Sequence, residues 1–388
     1  EPIVMIKKLI LIATFFTAFP LFAQQEINRA ITTAVPFLNI SADARAAGMG
    51  DMGVATGADG FSMQWNPSKY AFAENSMGFT ASYTPYLENI VTDVALLNAN
   101  FYNKVSERSA FAFGLRYFGL GEVELRQTIE EEGTTVKPNE FVLEGAYALK
   151  LSQTFSMGVS GRFISSSLKF PIDDGSDSQA ATGFAVDVSG FYRSQEKAYN
   201  SFDGRWRAGF NFSNIGGKMS YDAGGQKNFL PSNMRLGLGF DFILDQDNVL
   251  ALTTEFNKLL VPTPQDFNED GVIDSQDNER YQEISFLEGF FDSFGDAPGG
   301  FGEELKETTW ALGAEYSYQD SFMLRAGYFN ENEQKGARKF FSLGAGFKFK
   351  ATQIDLSYLF STSAVKNPLE NTLRFSLTFN LGEELVND

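Results

Sequence analysis

The amino-acid sequence predicts an all-β fold: an antiparallel transmembrane β-barrel of about fourteen strands with long extracellular loops. Two observations lead to this prediction. Segments of about ten residues alternate apolar and polar side chains, and the links between them are short and long in turn. The alternation is clearest near the C-terminus, where every second residue from Leu373 to Leu381 is apolar and the intervening residues are polar. Such alternation turns one face of a strand to lipid and the other to the lumen.

An even number of strands is required for a closed bacterial barrel. The segments that show the pattern are 77–85, 90–103, 107–119, 139–151, 154–169, 180–194, 204–213, 232–245, 247–259, 307–319, 321–330, 338–350, 352–361 and 371–381. Links after even-numbered strands are short, whereas links after odd-numbered strands include 120–138, 170–179, 214–231 and 260–306. Outer-membrane barrels have short periplasmic turns and long outer loops. A soluble β-sandwich also alternates on its inner face, but it would not need this asymmetry.

Composition excludes several classes of function. The chain has 388 residues, no cysteine and no histidine, so it has no thiolate or imidazole catalyst, no Cys/His zinc site and no disulfide. The net charge is −18 and there is no basic run, which argues against nucleic-acid binding. The 40 phenylalanines, 14 tyrosines and 36 glycines suit strands, tight turns and an apolar surface.

The negative charge is concentrated in the predicted outer loops. Loop 260–306 has twelve acidic residues against Arg280 and Lys306, a net charge of −10. Loops 120–138 and 170–179 each have a net charge of −3. We therefore expect an acidic outer face and nearly neutral strands.

The N-terminus has the features of a secretory signal peptide at residues 1–23. Lys7 and Lys8 precede an apolar run, and cleavage is expected after Ala23. The run has about 11 apolar residues, well short of the roughly 20 that a membrane-spanning helix needs. The protein is therefore expected to leave the cytoplasm.

Residues 24–76 are predicted to form a plug in the periplasmic mouth of the barrel, which itself covers 77–381 and is followed by a tail at 382–388. Ser41 could cap a short Ala-rich helix. Gly48, Gly50 and Gly53 match the dinucleotide-binding pattern, but neither the preceding parallel strand nor the βαβ unit that gives the pattern meaning is present. Small residues that pack closely in a plug are the better interpretation.

Several motifs in this segment resemble a known family. They are Pro36-Phe37-Leu38-Asn39-Ile40, Asp43-Ala44-Arg45-Ala46-Ala47-Gly48-Met49-Gly50, Gly53-Val54-Ala55 and Trp65-Asn66-Pro67. Together with the strand pattern, they resemble the PorV (LptO) family of the type IX secretion system, within the wider group of FadL-like outer-membrane barrels. The resemblance covers essentially the whole mature chain.

The resemblance implies a non-enzymatic protein that binds the C-terminal signal domain of cargo leaving the SprA (Sov) translocon. It would deliver that cargo to the surface attachment complex that contains the PorU sortase. The family offers no catalytic residues to carry over. The alternative is a FadL-like channel in which the plug gates uptake of a hydrophobic small molecule. In both cases we expect an outer-membrane barrel in contact with lipid, with a periplasmic N-terminus and extracellular long loops.

One loop has the spacing of a calcium site. Ca²⁺ takes about six to eight oxygen ligands, and a twelve-residue loop supplies them from alternate positions around a sharp glycine turn, here Gly271. The candidate ligands are Asp266, Asn268, Asp270, the Val272 carbonyl, Asp274 and Asp277. Asp277 stands where an EF-hand has Glu, as in dockerin-type loops, and a solvated acidic loop is the alternative.

An apolar tract in the same loop is the candidate partner-binding segment. Its residues are Phe286, Leu287, Phe290, Phe291 and Phe294. A long loop with exposed apolar side chains usually marks a contact, so we expect a short amphipathic helix that covers the barrel mouth or docks onto translocon or cargo.

Two further patterns have simpler interpretations. Glu130-Glu131-Glu132 followed by Gly133 is more typical of a solvated turn than of a catalytic carboxylate pair. Aromatic residues near strand ends predict interfacial girdles. They are Tyr83, Tyr86, Tyr117, Phe118, Tyr328 and Tyr358.

Overall fold

Fourteen long antiparallel strands form a closed barrel in the computed structural model, which describes residues 29–88, 90–126, 133–168, 180–221, 225–363 and 367–384. Each strand pairs with its sequence neighbours, and the first pairs with the last, for example at Phe79 and Phe379. The strands are β1 Asn75–Pro85, β2 Val94–Lys104, β3 Ser109–Leu120, β4 Asn139–Lys150, β5 Phe155–Ser167, β6 Ala181–Arg193, β7 Asp203–Ile215, β8 Asn233–Ile243, β9 Asn248–Leu259, β10 Thr309–Tyr318, β11 Phe322–Asn330, β12 Lys339–Phe349, β13 Thr352–Ser361 and β14 Leu373–Glu384.

The predicted barrel and its strand count are confirmed, and short and long connections alternate as predicted. Strand bounds differ by a few residues. β2 begins at Val94 rather than at 90, because Leu87 adopts a positive φ of 55° and the amides of Ile90 and Val91 donate to its carbonyl. β14 continues to Glu384 and pairs with Asn75, so the barrel is longer at this seam than the predicted range of 77–381. The predicted signal peptide at 1–23, Glu130–Glu132 and loop 170–179 lie outside the described residues.

Shorter elements lie in the loops and in the lumen of the barrel. Two-stranded ribbons join Val123–Leu125 to Thr134–Val136 and Met219–Ser220 to Lys227–Asn228, and Lys197–Ala198 adds a short strand beside β7. The plug has helices α1 (Ala44–Ala47) and α2 (Ser62–Trp65), with 3-10 turns at Pro36–Asn39 and Pro67–Phe72. Loop 260–306 has α3 (Ser275–Glu283), α4 (Phe286–Asp292) and α5 (Phe301–Lys306).

No helix in the described part of the chain is both long enough and apolar enough to cross a membrane.

The two faces of each strand differ as the alternation predicts. On β14, Leu373 and Phe375 are exposed on the outside, whereas Arg374 and Ser376 are buried in the lumen. The polar half of every strand therefore needs hydrogen-bond partners inside the barrel, because a buried polar group without a partner is costly.

The N-terminal segment supplies many of those partners by passing through the whole lumen. Its first turn, with Phe37 and Leu38, is buried beside Val94 and Phe118 at the end of the barrel that has the long loops. The segment ends at Phe72, which packs edge-on against Phe191 at the end with the short turns. We call these the long-loop end and the short-turn end.

This path corrects the prediction of a plug confined to the periplasmic mouth, whereas the periplasmic N-terminus stays a prediction. Residues 29–40 lie at the long-loop end, the end that the loop pattern assigns to the cell exterior. The physical reason is burial: Val35, Phe37 and Leu38 are apolar, and the apolar stretch of the inner wall that can cover them is at the long-loop end.

The glycine-rich stretch of the plug allows the backbone of the plug to approach the barrel wall closely. A Cβ on Gly327 of β11 would lie 2.1 Å from the amide nitrogen of Gly50, and one on Gly48 would lie 2.9 Å from the Cα of Gly344. The match to a dinucleotide-binding pattern is therefore explained by packing. The helix that precedes it, α1, is capped by Asp43 and not by Ser41, because Asp43 accepts from the Ala46 amide.

The predicted aromatic girdle is partly wrong. Tyr83 and Tyr117 are exposed on the outer wall, as expected. Phe118 instead points inward and stacks on Phe37, and Tyr86 meets Phe118 edge-on. Both rings are needed to bury the first turn of the plug.

A substitution at Gly327 tests this packing. We expect Gly327→Ala to destabilise the barrel by about 1–3 kcal/mol, because the added methyl group overlaps the plug backbone. The measurement is urea unfolding of the purified protein followed by the heat-modifiable gel shift. Gly161→Ala is the matched control, since a Cβ there meets nothing within 4 Å. Equal stability of the two variants would contradict the close approach.

Candidate functional site

The motif residues of the plug connect its two halves and attach it to the barrel wall. Asp43 is buried and accepts from the Ala46 amide and from the Trp65 indole Nε1, each at 2.7 Å. The side-chain amide of Asn66 donates to the carbonyls of Val54 at 2.8 Å and Gly190 at 3.0 Å. These contacts join the two halves of the plug and attach it to β6.

Arg45 connects the plug to the wall through ion pairs. Its guanidinium lies 2.7 Å from Asp59 within the plug and 2.7 Å from Glu315 on β10. Glu315 also pairs with Arg325 on β11 at 2.5 Å, and Arg325 pairs with Asp355 on β13 at 2.7 Å. Removing one member would leave a buried charge uncompensated, which typically costs about 3–5 kcal/mol.

Further contacts fix the middle of the plug. Glu255 of β9 accepts from the amides of Gly53 and Val54, both at 2.8 Å. Arg374 of β14 pairs with Asp51 at 2.8 Å. The plug is therefore held by charged side chains from several strands, and opening the lumen would break these contacts together.

A polar cavity of about 340 Å³ remains beside the plug near the short-turn end. Its wall includes Arg45, Asp59, Asp241, Asp247 and Lys348. This charged lining does not suit an apolar small molecule, because desolvating charges without compensation is costly.

The base of loop 260–306 is fastened to the barrel by two lysines. Lys258 at the end of β9 lies 2.8 Å from Glu304 and 2.7 Å from Glu307. Lys335, in the neighbouring loop, lies 2.8 Å from Glu307 and 2.7 Å from Glu303. We call this group the lysine clasp.

Asp296 lies against the clasp without a cation of its own within 4.0 Å among the described residues. Its carboxylate accepts from the Thr263 amide at 2.9 Å and lies within 4.8 Å of ligand atoms of Glu304 and Glu307. Burial, and then the charges of Glu307 and Glu304, raise the pKa of Asp296 to about 6, against the hydrogen bond from Thr263.

The predicted calcium ligands all lie in one turn, which bends at Gly271 with φ 91°. Asp266 accepts from the Gly271 amide at 2.7 Å, and Asp270 accepts from the Val272 amide at 2.9 Å. Asn268 accepts from the Asp270 amide at 3.0 Å. Asp274 caps α3, which begins at the tenth position of the loop, as its oxygen accepts from Gln276.

Asp277 is the ligand that fits least in this conformation. Its buried carboxylate accepts from the amides of Phe267 at 2.6 Å and Asp274 at 3.0 Å. Hydrogen bonds from backbone amides lower its pKa, that from Asp274 most. Among the described residues, the carboxylates that converge as a trio are Asp296, Glu304 and Glu307, and not those of this loop. The calcium site stays a prediction.

The predicted apolar tract forms α4, with a capping box between Ser285 and Glu288. Gly289 faces inward against Pro262 and Phe229. Leu287 and Phe291 are 63% and 68% exposed, Phe294 is 48% exposed, and Phe286 and Phe290 are half-buried.

Sequence reasoning missed two further exposed residues, Phe301 and Leu305 on α5, which are 78% and 58% exposed. Their spacing of four residues was the available signal, since it places them on one helical face. The signal was obscured because Glu303 and Glu304 lie between them and Lys306 follows, which made the segment look like a solvated loop.

A closed fourteen-strand barrel with a lumen filled by its own N-terminal segment defines the class of protein: a FadL-like outer-membrane β-barrel. Residues 22–266 match the sequence model of "Type IX secretion system protein PorV". The chain belongs to the PorV family, and its location is the outer membrane.

Two solved structures share the fold. The "TodX deltaS2S3 mutant monoaromatic hydrocarbon channel" is 13% identical with a TM-score of 0.52, and the match covers 87% of this chain and 98% of that chain. The "CymD monoaromatic hydrocarbon channel" is 14% identical with a TM-score of 0.50, covering 89% and 99%. At such identities the likeness shows the fold alone. No curated protein sequence matches the chain.

The raised pKa of Asp296 predicts a pH-dependent effect of Asp296→Asn. A carboxylate whose pKa is raised in the folded state destabilises that state at neutral pH, and the penalty declines as pH falls below about 6 and is lost once pH is below the ordinary Asp pKa of 3.8. At neutral pH the variant should therefore protect the backbone amides of 292–307 from hydrogen exchange better than the wild type does.

Below about pH 3.8 the two proteins should exchange nearly alike, since Asp296 is then largely protonated in both the closed and the opened state. Asp292→Asn is the matched control, because Asp292 is exposed on α4 outside the clasp. A difference between wild type and Asp296→Asn that is the same at both pH values would contradict this account.

Proposed function

We propose that this protein is a non-enzymatic docking component of type IX secretion. It binds the C-terminal signal domain of cargo leaving the SprA (Sov) translocon and delivers it to the attachment complex that contains the PorU sortase. The observation that supports this most is a folded, acidic loop at the long-loop end, with exposed apolar helices, above a lumen that is filled by the protein's own plug. Membership of the PorV family supports it independently.

Uptake of a hydrophobic molecule is less well supported, although two solved structures with a similar fold are named as hydrocarbon channels. The apolar part of the lumen is occupied by Phe37 and Leu38 of the chain itself. The cavity beside the plug is lined by charged residues. A transport path would require the ion pairs of Arg45 and Arg374 to break.

We also propose that the turn at Asp266–Asp277 binds Ca²⁺ and stiffens loop 260–306. The oxygen atoms of Asp266, Asn268, Asp270 and Asp274 belong to one tight turn, and hard cations prefer such oxygen ligands. Bound Ca²⁺ would require Asp277 to exchange its backbone hydrogen bonds for the metal. The role of the ion here is structural.

Affinity purification from gently solubilised outer membranes tests the docking function. The wild-type barrel should recover the translocon and cargo C-terminal domains. A Leu287→Ser/Phe291→Ser variant should recover at least about tenfold less, because losing two exposed apolar contacts costs an interface a few kcal/mol.

Val105→Ser is the control for that experiment, since Val105 is 55% exposed in a turn at the opposite end. It should behave like the wild type. Recovery of the wild-type barrel with only a bound hydrocarbon or fatty acid would support uptake and reject docking.

Thermal melting with and without Ca²⁺ tests the metal proposal. Ca²⁺ at about 1 mM, the range of extracellular calcium modules, should raise the melting temperature of the wild type, and Mg²⁺ should not. Asp270→Asn should reduce the shift, whereas Glu279→Gln on the exposed face of α3 should leave it unchanged. Equal shifts for all three proteins would reject the site.

A further inference from the structure

The helices of loop 260–306 turn apolar side chains towards solvent. On α4 and just beyond it, Leu287, Phe291 and Phe294 are spaced at i, i+4 and i+7, so they share one face. On α5, Phe301 and Leu305 share a face by the same rule. All five are about half exposed or more. A helix that packs onto a core hides such residues, so their exposure in a folded loop indicates a contact surface.

Carboxylates accompany these apolar residues. Glu283 at the end of α3 and Asp292 at the end of α4 are exposed, and in the described part of the chain neither has a lysine or arginine within 4.0 Å. The acids of α5 and its C-cap differ, since Glu303, Glu304 and Glu307 pair with the two lysines of the clasp. With a net charge of −10, the loop as a whole stays strongly acidic. We call the exposed apolar residues Leu287, Phe291, Phe294, Phe301 and Leu305 and the exposed acids Glu283 and Asp292, which all lie on the helices of this loop or directly after them, the acidic apolar face.

The contacts beneath the face hold it in place before any partner arrives. Gly289 packs on Pro262 and Phe229, and the hydroxyl of Tyr281 donates to the Pro262 carbonyl at 2.9 Å. Lys218, from the link after β7, donates to the Gln282 carbonyl at 3.1 Å. Because the helices are already ordered before binding, ordering this loop adds little entropic cost to association with the partner.

We propose that the acidic apolar face binds a polypeptide segment with apolar side chains flanked by lysine or arginine. This deepens the proposed docking function by giving the chemistry of the partner. The apolar residues supply contact area, and the exposed carboxylates select a basic partner and raise its rate of encounter. An anionic lipid surface has the apolar part of this chemistry but is repelled by a loop of charge −10.

Site-specific photo-crosslinking in living cells tests the proposal with the full chain. A benzophenone side chain replaces Phe291 in one variant and Phe301 in another, and mass spectrometry identifies the adducts. Phe113 on β3, which is 62% exposed on the lipid-facing wall, is the matched control and should give lipid adducts only. We expect peptide adducts at Phe291 and Phe301, in segments with apolar residues and at least two nearby basic ones.

A second measurement isolates the charges. Introducing Glu283→Gln and Asp292→Asn into the Phe291 probe variant should lower the adduct yield several-fold, and so should raising the salt from about 0.1 to about 1 M, where the Debye length falls to about 3 Å. Neither acid takes part in the lysine clasp or in a helix cap, so loss of folding is not expected. An unchanged yield overturns the proposal.

Failure of this inference can be told apart from failure of the proposed function. Lipid-only adducts at Phe291 and Phe301, or adducts to an acidic segment, overturn the inference even if type IX components are recovered. Adducts to a basic apolar segment of a protein unrelated to secretion uphold the inference and reject the proposed function.

Discussion

Buried charge pairing between the N-terminal segment and the inner wall is the constraint on which the rest of this structure depends. Many lumen-facing positions of this barrel are polar, and each of these polar groups needs a partner once water is excluded. Arg45, Asp51 and the amides of Gly53 and Val54 meet that need for Glu315, Arg374 and Glu255. The plug is thus part of the core of the protein.

Because the lumen is filled by the plug, the groups available for binding other molecules lie on the surface of the protein. The wall faces lipid, the short turns are small, and loop 260–306 has both exposed apolar side chains and exposed carboxylates. That loop is itself folded, because Lys258 and Lys335 neutralise its basal carboxylates and Gly289 allows α4 to lie on Pro262. A loop that binds other proteins needs both the packed contacts at its base, which keep it folded, and the exposed side chains at its top.

The barrel could be predicted from the sequence because alternation is a local signal that recurs in every strand. The alternation from Leu373 to Leu381 shows which residues share a face of the strand, and no other part of the sequence is needed to see it. The path of the plug could not be predicted in the same way. Whether Phe37 lies at one end or the other depends on where the wall has apolar residues, and those come from the strands β2 to β6, far away in sequence. Phe118 was misassigned for the same reason, since an aromatic residue near a strand end looks the same whether it faces lipid or lumen.

The candidate site could likewise be predicted only in part from the sequence. The apolar tract and the acidic turn are contiguous in sequence and were predicted, whereas the lysine clasp joins β9, α5 and the loop before β12, and no spacing reveals it. Asp277 shows a further limit. The pattern gives its position as a ligand, but only the fold shows that its oxygens are engaged by the amides of Phe267 and Asp274.

The pairing of β1 with β14 closes the barrel, and the plug contacts both strands at this seam. For example, Ser82 donates to the Ala42 carbonyl at 2.6 Å, Ser376 accepts from the Ala44 amide at 2.8 Å, and Arg374 pairs with Asp51. A chain that closed without its plug would exchange these direct contacts for water in an open lumen. The strand pair that closes the barrel is therefore also one of the places where the barrel and its plug hold each other.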